Sequence, residues 1–104
     1  MTGHIDTVGF LESRRNSARS VRMTFSGDRE IAPYISQKGS ITVDGVSLTV
    51  NSVHDLTNRV QFDVNIVPHS LEVTTLGERS VGDPVHLEVD LFARYLDRLR
   101  RCSR

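Results

Sequence analysis

Three sets of side chains in this sequence have types suited to chemistry. The first is a short row of hydroxyls. Between Lys38 and Val50 the chain reads KGSITVDGVSLTV. Ser40–Val43 alternates polar and apolar, Asp44-Gly45 supplies a two-residue turn, and Val46–Val50 alternates again. Both central positions of a type I′ turn need φ > 0, which Asp-Gly accommodates. The spacing therefore predicts a tight hairpin with Val46, Leu48 and Val50 on an apolar face and Ser47 and Thr49 on the other. Those hydroxyls, ending near Lys38, could hydrogen-bond a small polar ring without bringing a full charge to it. The same pattern also describes an ordinary hairpin whose wet face points outward.

The second set is the histidines, His4, His54, His69 and His86. No two are close-spaced and no cysteine joins them, so linear spacing predicts no metal site. The third is Cys102, alone in the tail RRCSR. One thiol cannot close an internal disulfide, which fits a reducing cytosol. A frayed terminus is also a poor place to hold a nucleophile.

The elements that must position these residues follow from periodicity. His4–Glu12 reads as a first strand, with Ile5, Val8, Phe10 and Leu11 inward and an irregularity at Gly9. Ser13–Ala18 is a polar turn. Arg19–Phe25 alternates clearly, and Ser26-Gly27-Asp28 is another turn. Arg29–Ser36 suits one helical turn, limited by Pro33. After the hairpin, Asn51–His54 continues its second arm. Val60–Val67 is a strand with Gln61, Asp63 and Asn65 on its polar face. His69–Leu76 suits a helical turn stopped at Gly77, and Pro84–Asp90 is the last strand. From Leu91 the period becomes helical, with Leu91, Phe92, Tyr95, Leu96 and Leu99 on one stripe. Residues 1–90 thus read as a barrel and 91–104 as a helix and tail suited to plugging the barrel, to packing against other copies, or to both.

The sum is an all-β protein: a small six-stranded antiparallel barrel with short helical turns and a C-terminal helix. Closure removes sheet edges that would invite aggregation. Thirteen basic and thirteen acidic residues give a net charge near zero. That argues against nucleic acid, where a basic stripe supplies most of the affinity, and six aromatics leave few stacking platforms. No run is long enough to span a bilayer, and the first ten residues lack the pattern of a signal peptide.

Four blocks in order carry a family resemblance. They are TGH at Thr2–His4, KGSITVDGVSLTV, the run F-x-V-x-I-V-P-H-S-L-E-x-T-T-L-G from Phe62, and G-D-x-V-x-L-E-V-D-L-x-A-R-Y-L from Gly82. Together they resemble the C-terminal half of riboflavin synthase, over nearly the whole chain. The resemblance implies a Greek-key barrel of the riboflavin synthase domain type. It also implies a reaction in which two molecules of 6,7-dimethyl-8-ribityllumazine exchange a four-carbon unit, giving riboflavin and 5-amino-6-(ribitylamino)uracil. No metal or external cofactor is implied, and the protein's work is to position two rings and move protons.

Carried over by residue, the resemblance implies lumazine contacts at Gly3, His4 and Ile5. It implies others at Lys38, Ser47, Leu48 and Thr49, and at Asn65, Ile66, Val67, Pro68, His69 and Ser70. His4 resembles the histidine that reaches the second ligand and could act as acid or base near neutral pH. Ser47 stands where the other barrel of the family brings a cysteine, and Ser40 where it brings a serine. A hydroxyl at Ser47 is a weaker nucleophile than a thiolate unless a base activates it. The sequence departs from the family in having no N-terminal barrel, the half that completes the family's site. A gene fragment, an engineered half and a natural single-barrel protein all fit. The expected partners are lumazine and riboflavin as ligands, with either a second or third copy of the chain or a separate N-terminal barrel. The expected location is the cytoplasm. The alternative function is a lumazine or flavin carrier without catalysis, or an inactive fragment.

Overall fold

The computed structural model describes residues 4–17, 19–67 and 75–90. Seven strands form one antiparallel sheet in the order β4-β3-β7-β1-β2-β6-β5. They are β1 (His4–Ser17), β2 (Ser20–Asp28), β3 (Ser40–Val43), β4 (Val46–Thr49), β5 (Ser52–Asp55), β6 (Arg59–Ile66) and β7 (Pro84–Asp90). The expected barrel architecture holds, and the seventh strand has a simple origin. The second hairpin arm does continue past Val50, but it changes partner. β4 pairs with β3, whereas β5 pairs with β6. These are the two outermost strands of the sheet, and only Val50 and Asn51 separate them. The three backbone steps from Thr49 to Ser52 span at most about 10 Å, so the sheet has to curl until its two outer strands come close. The Asn51 N–H donates to Asp63 O at 2.8 Å on the closing side.

Curling puts alternate residues inside. Met23, Phe25, Val43, Val60, Phe62, Val64, Leu76 and Leu87 are fully buried. Phe25 and Phe62, register partners on β2 and β6, stack with centroids 5.6 Å apart. Full burial of a side chain of this size contributes about 1.5–3 kcal/mol, and this shared core holds the curled sheet together.

The β3–β4 turn is as expected: Asp44 and Gly45 have φ of 49° and 81°. The Asp44 carboxylate also reaches sideways, accepting from the His86 N–H at 2.8 Å and from Arg79 Nε at 2.8 Å. These contacts tie the turn to β7 and to the loop before it.

Several expectations are corrected. β1 runs to Ser17, because Ser13–Ser17 pair with β2 through their backbones whatever their polarity. β2 likewise absorbs Ser26, Gly27 and Asp28, which pair with Gln61, Val60 and Arg59. The first-strand irregularity lies between Leu11 and Ser13, at Glu12, not at Gly9. Val8 and Phe10 point outward, 57% and 49% exposed, while Gly9 and Leu11 are buried. Gly9 hides the inward face from a hydrophobicity pattern because it has no side chain to reveal it. Asp63, placed on the polar face, is only 6% exposed. The helical turn at Arg29–Tyr34 is a 3-10 turn, capped by Asp28 accepting from the Glu30 N–H at 2.9 Å. A second 3-10 turn covers Thr75–Glu78 and runs through Gly77 instead of stopping at it. The expected helix from Leu91 lies outside the described residues. Among the described residues no helix is long and apolar enough to cross a membrane.

Candidate functional site

The hairpin presents its hydroxyls as expected. Ser47 and Thr49 are exposed, Val46 and Leu48 pack partly against the core, and Val50 is buried. Register then extends the row. Ser47 stands opposite Thr42, Thr42 opposite Glu88, and Glu88 opposite Asp6. Directly paired residues share a face, so Ser47, Thr42, Glu88 and Asp6 form one polar line across β4, β3, β7 and β1.

Lys38 closes one end of the hairpin. Its N–H donates to Val50 O at 2.7 Å, and the Val50 N–H donates to Gly39 O at 2.8 Å. Its backbone lies in the left-handed region, with φ of 68°. The side chain is exposed. A lysine in that conformation gives up the steric freedom a glycine would have.

The fifth-strand segment lies across the seam. β4 and β6 come into contact where the sheet closes, and the chain leaving β4 meets β6 at Asp63, two residues before Asn65. Asn65 is exposed, and so is Val67 at 55%. Ile66 is 2% exposed and points into the core, so it can offer a ligand only backbone groups. Arg22 is the register partner of Asn65. Its guanidinium is paired with Asp63, which also accepts from Ser52 Oγ at 2.8 Å. Burial pushes the Asp63 carboxyl up, but hydrogen bonds from Arg22 and Ser52 and the Arg22 charge outweigh it, and the net shift is downward. Asp63 is therefore an anchored anion under the seam, and Arg22 and Asn65 form the rim above it.

β4, which carries Ser47, Leu48 and Thr49, thus touches β6, which carries Asn65 and Ile66. The structure does not bring His4 and Ile5 to them. These residues pair with Asp90 and Val89 at the start of β1. Three strand spacings separate β1 from β4, roughly 14 Å along the sheet. The His4 and Ser47 backbones therefore lie at separate places on the sheet. Gly3, Pro68, His69 and Ser70 lie outside the described residues. Arg22, Thr42 and Glu88 were not singled out in the sequence. Their polar alternation is visible there, but their neighbours are not, because those are set by non-local register.

Comparison with known proteins follows the same lines. The family model for the lumazine binding domain matches residues 2–90. Riboflavin synthase of Brucella abortus (strain 2308) is 48% identical over 97 residues, covering 93% of this chain and 46% of the relative. Riboflavin synthase of Photobacterium phosphoreum is 42% identical over 99 residues, covering 95% and 44%. That of Mycobacterium bovis (strain ATCC BAA-935 / AF2122/97) is 41% identical over 101 residues, covering 97% and 50%. The chain spans about half the length of these curated relatives.

Proposed function

The chain belongs to the lumazine-binding domain family, and on that premise we propose that it serves riboflavin biosynthesis as one half of a riboflavin synthase. In this reading a 6,7-dimethyl-8-ribityllumazine lies on the outer face at the β4–β6 seam. Ser47 and Thr49 read the polar edge of its ring, and Leu48, whose side chain packs toward the core, offers its backbone groups. Lys38, Asn65 and the backbone at Ile66–Val67 take the ribityl hydroxyls, and Pro68, His69 and Ser70 are the further contacts that the family resemblance implies. The observation that carries the reading is the seam itself. It unites two segments, distant in sequence, that the family resemblance assigns to one ligand.

Gly3, His4 and Ile5 face a second lumazine held by another barrel. That barrel is a second copy of this chain or a separate N-terminal half. The reaction needs two lumazines, and the roughly 14 Å between β1 and β4 supports sharing the work between two barrels. Pairing about a twofold axis would give each ligand one seam and one histidine. Residues 1–90 are then the binding unit and 91–104 the segment that associates copies, in a dimer or a trimer, in the cytoplasm. Catalysis is mainly approximation of the two rings, with His4 moving a proton and Ser47 as an orienting hydroxyl.

The test is to incubate the purified chain with 6,7-dimethyl-8-ribityllumazine, reading ligand fluorescence and riboflavin formation together. Saturable binding with riboflavin formed above the uncatalysed rate, and lost in His4→Ala, is the expected result. Saturable binding without riboflavin would leave a binding half that needs a separate barrel. No binding at all would overturn the reading.

A further inference from the structure

The pairing of β1 with β7 sets three metal-ligating side chains side by side. Asp6 stands directly across from Glu88, and His86 lies two residues along β7 from Glu88, on the same face. Each offers one ligand atom, and these atoms all lie within 4.8 Å of one another. We propose that Asp6, His86 and Glu88 form a surface binding site for a divalent first-row transition-metal ion of the zinc type.

Geometry, donor chemistry and charge each support this. His86 Nε2 lies 3.6 Å from Asp6 Oδ1, too far for a good hydrogen bond. Two ligands sharing a tetrahedral metal, each about 2.0–2.2 Å from it, lie roughly 3.3–3.6 Å apart. The pair is thus already at the spacing a shared ion would impose, and the Glu88 ligand atom lies within 4.8 Å of both. One imidazole with two carboxylates suits zinc and its neighbours, whereas calcium and magnesium take all-oxygen shells. The Asp6 and His86 side chains are 61% and 50% exposed, which leaves room for a water in the fourth position.

The charge argument is separate. Like charges directly opposite on neighbouring strands destabilise a sheet. Glu12, Asp44 and Asp63 each have an arginine, namely Arg59, Arg79 and Arg22. Asp6 and Glu88 oppose each other, and among the described residues no lysine or arginine pairs with either. A bound cation would remove that repulsion. The scaffold is also firm. The His86 main chain makes two hydrogen bonds with Asp44, donating its N–H to the side-chain Oδ1 at 2.8 Å and accepting from the Asp44 N–H at 2.7 Å.

The test is calorimetric titration of the metal-free chain with zinc chloride, with cobalt(II) absorption as a second probe. The expected result is saturation at one ion per chain. Loss of an inner ligand in His86→Ala or Glu88→Gln should weaken binding by more than the roughly 10–100-fold that loss of a supporting contact costs. His54→Ala and Cys102→Ser, at other potential donors, should leave it unchanged. Thermal melts guard against misfolding. Asp6→Asn should melt no lower than the parent without metal, since it relieves the repulsion, yet should lose the metal-induced rise. The absence of one-to-one saturation, or zinc binding unmoved by His86→Ala and Asp6→Asn, would overturn the proposal.

Discussion

The Ser52 hydroxyl donates to Asp63 Oδ1 at 2.8 Å across the register pair that joins β5 to β6. The same residue's main chain accepts from Asn51, and its carboxylate holds Arg22 of β2. One aspartate thus fastens the point where the sheet closes. Asp63→Asn removes the charged acceptor while keeping the shape. A hydrogen bond to a charged group is worth about 1.5–3 kcal/mol, and Arg22 is half exposed, so the lower end applies. The expected loss is about 2 kcal/mol, against about 1 kcal/mol for Ser52→Ala. Urea unfolding at neutral pH measures both. An Asp63→Asn midpoint equal to the parent's would mean closure depends on the core alone.

The same anion makes stability fall in acid. Asp63 is held below the ordinary carboxylate range, its burial outweighed by Arg22 and Ser52. Glu12 is also lowered, first by a hydrogen bond from Ser26, then, against an opposing burial effect, by Gln61 and Arg59. A carboxyl with a folded pKa below its unfolded one adds stability that is complete above the unfolded value. That stability is lost as pH falls through the folded value. Stability should be flat from neutral pH to about 5 and decline below about 4. Asp63→Asn should flatten part of that decline. A parent curve unchanged down to pH 3 would count against both assignments.

Gly9 and Gly45 illustrate two different demands. A Cβ on Gly9 would lie 2.3 Å from Ser26 O and 2.5 Å from Leu87 Cδ1. Backbone cannot yield cheaply, so Gly9→Ala should cost about 1–3 kcal/mol through overpacking. Gly45 has nothing within 4 Å but a φ of 81°, so Gly45→Ala should cost only about 1 kcal/mol, through conformation. Thermal melts of the two variants should rank them in that order. The reverse order would mean that β1 is free to move away from β2.

What was legible in the sequence divides along local and non-local lines. The hairpin was plain because Asp44-Gly45 and its flanking alternation are local signals, and the last strand, Pro84–Asp90, ended where expected. The continuation of the hairpin arm into β5 was legible, but its change of partner was not, because pairing with β6 is a tertiary event. β1 misled in two ways. Its polar end, Ser13–Ser17, pairs through backbone groups that every residue carries. Its inward face contains a glycine, so Val8 and Phe10 were the only visible apolar row. The two hairpin and seam segments of the candidate site were individually visible through the family resemblance. Their meeting depends on the curl of the sheet, and that of Asp6 with His86 and Glu88 on strands about 80 residues apart pairing in it.

Lys38 poses the clearest exchange between stability and binding. A non-glycine residue in the left-handed region stores of order 1 kcal/mol of strain, and such strain tends to persist where a side chain has work to do. Here the backbone fit is fixed by the Lys38 N–H on Val50 O at 2.7 Å, while the exposed side chain makes no described hydrogen bond or ion pair. Lys38→Gly should therefore relieve strain and raise stability by about 0.5–1 kcal/mol, or leave it level where the added freedom of the unfolded chain offsets the gain. It should also weaken 6,7-dimethyl-8-ribityllumazine binding roughly tenfold, the worth of one charge-assisted hydrogen bond. Lys38→Asn, which tolerates the same backbone region, separates the two effects by keeping a polar group of shorter reach. Melting curves and fluorescence titration of the three proteins give the answer. Weaker binding with equal or greater stability assigns Lys38 to the ligand. Lower stability with unchanged binding would make it a structural residue of the hairpin entry and move the ligand elsewhere on the seam.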